Sequence, residues 1–152
     1  MTDERRRLTE LGPGESMRLL GSVSLGRIVF TARALPAIRP ASHLVQDDHV
    51  IVRADRGVAI TSALMAERGT VVAYEADAID PVDHLGWSVT LVGAAHQVSD
   101  PLAADAFRQA LRHWAGSAND QVISISPSLV TGFRLLADAA AAATPPPLTE
   151  RG

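Results

Sequence analysis

The feature that most constrains this chain is a change of period at Leu25. From there to Leu135 it falls into short β-branched, apolar runs: Leu25–Thr31, Leu35–Leu44, His49–Ala54, Gly69–Ala78, Gly86–Val98, Asp120–Ser126 and Val130–Leu135. Gly, Pro and Asp punctuate them, with Asp47-Asp48 a turn and Pro127 a turn between the last two. The early connections are too short for crossover helices, so the strands pair as antiparallel neighbours rather than as βαβ units. Such a sheet leaves unpaired edges unless it closes, and closure favours a barrel. Pro36 and Pro40 mark the second run as bent or edge-like, because proline cannot donate to a ladder. Gly93 reads as a bulge or a close backbone approach.

Helical patterns are few. Pro13 and Glu15 open a short one that Gly21 stops. Val58–Glu67 reads as a helix by its Ala, Leu and Met content. Asp100-Pro101 opens a third, whose apolar face is Leu102, Ala106, Phe107, Ala110, Leu111 and Trp114. The organisation is therefore a flexible charged arm over 1–10, a mainly β domain with appended helices over 11–136, and a flexible Ala/Pro-rich tail over 137–152.

Composition narrows the chemistry. There is no cysteine, which removes disulfides and thiol catalysis. All fourteen basic residues are arginine, so a phosphate must be held by guanidinium forks, hydroxyls or backbone N–H groups. A net charge of −3 argues against a nucleic-acid partner. No apolar run is long enough for a membrane helix, and the charged start has no leader pattern, so a cytoplasmic protein is the expectation. The five histidines lack ligand spacing, so no metal is expected. Nucleophile-elbow, P-loop and dinucleotide glycine motifs are absent from the sequence.

Three segments remain as candidates. Arg39-Pro40-Ala41-Ser42-His43 puts a cation, a hydroxyl and an imidazole on one bent strand; it is either an irregular edge or a seat for a planar, polar-edged ring. Arg53 and Arg56-Gly57, with Thr61 just beyond, sit where a strand gives way to a helix, an arrangement that suits phosphate; the other reading is an exposed pair neutralised by Asp47, Asp48 and Asp55. Gly86-Trp87-Ser88-Val89 offers either core packing or the wall of a cleft.

Together LPAIRPASHLV, VIVRADRG, VVAYEADAIDPVDHLGWSVTLVGAAHQVSD and DQVISISPSLVTGFRL resemble the actinobacterial branch of the pyridoxamine 5′-phosphate oxidase-like proteins. The resemblance spans about residues 10–136. It implies a six-stranded antiparallel split β-barrel of the FMN-binding type, a homodimer with two flavin sites between subunits. It places the ring near Arg39–His43 and the phosphate near Arg53–Thr61. Trp87, Ser88 and Val89 of the long strand and Arg134 of the last one would complete the pocket. Flavin-binding relatives often carry a lysine in or just after the segment that is Gly57–Ile60 here, so Arg53 and Arg56 are implied to bear the phosphate. The substrate-binding pattern of true pyridoxamine-phosphate oxidases is not recognisable, and that reaction is not assigned. The implied activity is that of a flavin-dependent oxidoreductase or flavin reductase. The alternatives are a deazaflavin (F420) reductase on the same fold and a non-enzymatic flavin carrier.

Overall fold

The computed structural model describes residues 6–54, 69–111 and 121–138. The elements in chain order are β1 (Arg6–Leu11), α1 (Pro13–Gly21), β2 (Leu25–Ala32), β3 (Leu35–Gln46), β4 (His49–Ala54), β5 (Thr70–Ile79), β6 (Gly86–Gln97), α2 (Pro101–Ala110) and β7 (Gln121–Ala137). All pairings are antiparallel. The order is β1-β7-β4-β3-β2-β5-β6, and β6 also pairs with β7. Six of these strands therefore close into a ring, β7-β4-β3-β2-β5-β6, and β1 is added to it as a seventh.

Alternation builds the core. Ile28 and Phe30 of β2, Ala41 of β3, Val50 and Val52 of β4, Val72, Tyr74 and Ala76 of β5, Val89 and Leu91 of β6, and Ile123 and Ile125 of β7 all point inward. Leu19 and Leu20 of α1 plug one end of the barrel. A second, smaller cluster lies outside, where Ala104 and Phe107 of α2 and Leu111 cover Ile51 and Val122. The β2–β3 and β3–β4 hairpins are two-residue loops. Their central residues all take positive φ: Arg33 at 52°, Ala34 at 62°, Asp47 at 51° and Asp48 at 59°.

Three parts of the structure differ from the sequence reading. Residues 6–10 are not an arm: Arg6–Leu11 pair in register with Ala137–Gly132 of β7. Their charged side chains suit an edge strand with a solvated side. The two expected C-terminal strands are one strand of 17 residues. Pro127 is tolerated within it because β4 pairs β7 only as far as Ile125 and β1 begins at Gly132. Between them, no described strand needs the missing N–H. Pro127 lies opposite Gly93, at the bulge where the β6–β7 register shifts. A Cβ on Gly93 would collide with the Ser126 carbonyl, so this close approach requires glycine. Finally, β7 reaches Ala137, one residue beyond the expected end of the domain. The expected helix over 58–67, Trp114 and the tail from 139 lie outside the described residues.

Candidate functional site

The candidate segment Arg39–His43 runs along β3. Over residues 35–42 it pairs with β2, while β4 joins its other edge only from Ser42 onward. Among the described residues, the second edge of 35–41 has no partner strand. In the register set by the two-residue hairpin, the N–H positions of Pro36 and Pro40 face that edge, where no donor is needed.

Alternation splits the segment between two faces. Ala41 is inward and part of the core. Ser42 is outward, aligned between Leu25 of β2 and Arg53 of β4. It is only 5% exposed, and its Oγ has no hydrogen-bond partner. Leaving a buried hydroxyl unpaired costs about 1–3 kcal/mol, so proteins rarely keep one without a use. Arg39 and Pro40 are exposed, and the Arg39 guanidinium donates to the Ile38 carbonyl at 2.8 Å.

His43 faces inward and is fully engaged. Its Nε2 lies 2.7 Å from the Leu20 carbonyl at the end of α1, and its Nδ1 lies 2.6 Å from the Tyr74 hydroxyl. A carbonyl only accepts, so Nε2 carries the hydrogen. Burial holds the ring below the usual histidine range, with the Leu20 carbonyl opposing that shift. In the neutral ring Nδ1 accepts from Tyr74, whose hydroxyl also lies 3.0 Å from the Ala41 carbonyl. The rings meet edge to face at 5.0 Å. Burial pushes the Tyr74 phenol far above its normal range. Gly26 makes room for it, since a Cβ there would lie 2.5 Å from the hydroxyl.

Behind this network opens a cleft of about 630 Å³, lined by Gly21–Leu25, Arg27, His43 and Asp77. On its wall Arg27 bridges Glu75 and Asp77, each at 2.8 Å. Burial raises the Glu75 carboxyl and Asp77 beside it adds to the rise, while Arg27 opposes both. Neither this triad nor Tyr74 is among the residues singled out from the sequence. The run YEAD alternates buried and half-exposed positions, and that alternation was the available clue.

The remaining predicted residues fall in two places. Arg53 is in register with Ser42, but its Nη1 donates to the carbonyls of Arg108 and Leu111 at 2.7 and 3.0 Å, which caps the end of α2. Trp87, Ser88 and Val89 lie on β6, with Trp87 opposite Arg134 of β7. Val89 is fully buried in the barrel core and Trp87 packs against it. Arg134 reaches Glu15 of α1 at 3.4 Å. Since β3 and β6 are three strands apart either way round the ring, Arg39–His43 and Trp87–Val89 occupy opposite walls of one barrel. Arg56, Gly57 and Thr61 lie outside the described residues.

A six-stranded ring with a partly unpaired edge, one added strand and a helix plugging its end defines a split β-barrel. The profile of the pyridoxamine 5′-phosphate oxidase family matches residues 13–134, and the chain belongs to that family. It is 49% identical over 137 residues to an uncharacterized protein of Mycobacterium tuberculosis, covering 88% of this chain and 89% of that one. It is 35% identical to the FAD binding protein from Mycobacterium smegmatis, with a TM-score of 0.66 over 85% of this chain and 98% of that structure. A FAD-binding protein of Mesorhizobium loti shares the fold at 15% identity, with a TM-score of 0.68 over 87% of this chain and 99% of that one.

Proposed function

We propose that this protein binds a flavin nucleotide, FMN first, between two copies of the chain and serves as a flavin-dependent oxidoreductase or flavin reductase. The observation that carries the reading is Ser42: a hydroxyl buried without a partner, on the outer face of a strand whose neighbouring edge has no partner strand among the described residues. A ring with acceptors on its rim fits such a hydroxyl and the strand's own peptide groups. The 35% identity to a protein described as FAD-binding supports a flavin and makes FAD the natural competitor of FMN. When bound, the flavin supplies the redox chemistry; the chain supplies position and electrostatics. Ser42 and the β3 backbone would hold the ring. Since an Arg53 nitrogen caps α2, Arg56 is the guanidinium proposed for the phosphate.

Two copies are needed because the two halves of the site lie on opposite walls of one barrel. The outer face supplies a surface for them to meet. Ala73, Val92 and Leu129 align across the neighbouring strands β5, β6 and β7 as one apolar row on the wall that carries β6. Its β7 end is well exposed, Leu129 at 61%. A self-complementary row of this kind suits an isologous dimer.

The test is a titration of purified dimer with FMN, FAD, riboflavin and F420, following flavin fluorescence and mass, on the wild type and on Ser42→Ala. The variant should be as stable as the wild type or more so, because removing an orphaned hydroxyl relieves its desolvation, yet it should bind flavin several-fold more weakly. Leu129→Glu should yield a monomer that no longer holds flavin. Stoichiometric flavin on that monomer, or no flavin on the wild type, refutes the reading.

A further inference from the structure

The inference drawn here rests on the flavin reading and concerns how β3 is held from behind. Three contacts meet at His43 and Tyr74: Nε2 to the Leu20 carbonyl, Nδ1 to the Tyr74 hydroxyl, and that hydroxyl to the Ala41 carbonyl. Each needs one hydrogen. A neutral imidazole and a phenol supply two between them, so the Tyr74 hydrogen is contested between Nδ1 and Ala41. An imidazolium and a phenol supply three, and every contact is then a donor facing an acceptor. The network is one proton short of complete, and completing it moves only the hydroxyl hydrogen.

Burial opposes the added charge and lowers the ring's affinity for a proton in the free protein. The surroundings otherwise suit a cation. The carbonyl at Nε2 belongs to the negative end of α1. From β2 and β5, Arg27 and Asp77 line the cleft together with His43, and the Arg27 charge is taken up by Asp77 and Glu75. From β4 the residue in register with His43 is Val52, which carries no charge. His43 also lines the cleft of about 630 Å³, which gives solvent protons a route to it.

We propose that His43 is a positioning residue that takes up a proton from solvent when an anionic flavin nucleotide settles on the opposite face of β3. The cation then stands one residue behind Ser42 and directly behind the strand that carries the ring. Tyr74 turns its hydroxyl to Ala41 and locks the peptide there. By linkage the reverse holds, and a protonated His43 tightens the ligand site.

Calorimetry of FMN binding near pH 6, in buffers of different ionisation enthalpy, measures the proton taken up. Wild type should take up a fraction of a proton more than His43→Gln, and its affinity should rise about two- to tenfold per pH unit lost, the upper limit being one linked proton. Glutamine can donate to Leu20 and accept from Tyr74 but cannot be protonated there, so its affinity should lack this slope. The phosphate's own titration is common to both proteins and cancels in the comparison. Riboflavin, which lacks that charge, should show a smaller difference. If the glutamine variant does not fold, Tyr74→Phe removes the acceptor for the imidazolium Nδ1–H and should shrink the uptake instead. Equal uptake in wild type and variant, or binding by wild type with no uptake, overturns the proposal while leaving the flavin site standing. No flavin binding at any pH overturns the site itself, and the coupling with it.

Discussion

Gly26→Ala probes the packing that holds Tyr74 against β2. An alanine Cβ would lie 2.5 Å from the Tyr74 hydroxyl, 2.7 Å from its Cε1 and 2.5 Å from the Glu75 carbonyl. The carbonyl belongs to a paired strand and cannot retreat freely. The phenol cannot retreat either without losing contact with His43 and Ala41. Overpacking of this kind costs about 1–3 kcal/mol, and a loosened hydroxyl network adds about 1 kcal/mol more. For a chain of this size the total of about 2–4 kcal/mol corresponds to a loss of roughly 4–16 °C in Tm. Tyr74→Phe alone leaves Nδ1 and the Ala41 carbonyl without that hydroxyl and should cost about 1–3 kcal/mol. The double variant distinguishes the causes. With the hydroxyl gone, the alanine has one less atom to collide with, so the double variant's loss should fall short of the sum of the two single losses by at least about 0.5 kcal/mol. Urea unfolding at pH 7.5, run on all four proteins, reads the cycle. Additive losses, or a Gly26→Ala protein as stable as wild type, would mean that Tyr74 does not occupy the space above Gly26.

Two further perturbations have signs fixed by the structure. His43 is held below its unfolded pKa, so the unfolded chain binds the proton first; stability should be full above about pH 6.5 and decline as pH falls below it, by at most about 1.4 kcal/mol per pH unit. Urea midpoints at pH 5.5 and 7.5 should therefore differ more in wild type than in His43→Gln, and an identical pH response would remove His43 as the cause. Arg53→Ala strips Nη1 from the Arg108 and Leu111 carbonyls and should cost about 1–2 kcal/mol, with faster amide exchange concentrated at the end of α2. It should weaken FMN and riboflavin alike, whereas Arg56→Ala should weaken FMN more; the opposite pattern would return the phosphate to Arg53.

How far the sequence could be read depended on which residues carry a period. β2, β5 and β6 alternate cleanly, and their bounds follow from Ile28 and Phe30, Val72 and Tyr74, Val89 and Leu91. The single strand β7 was not legible, because Pro127 acts as a turn residue unless a bulge opposes it, and the bulge at Gly93 lies in another strand. Nor was β1, whose Arg-rich alternation acquires meaning only from the unpaired half of β7 it covers. The candidate site was half legible for a related reason. RPASH has no apolar alternation of its own, so nothing local says which of Ser42 and His43 faces the core. The pairing of Ser42 with Leu25 and Arg53 decides it. A slip of one residue would put the imidazole on the outside and bury the hydroxyl inside. The residue with the obvious chemistry is thus the internal brace, and the plain serine beside it lies on the outer face, the side on which the flavin is proposed to bind. It is Gly26 and Tyr74, neither remarkable as sequence, that hold His43 to the inner face.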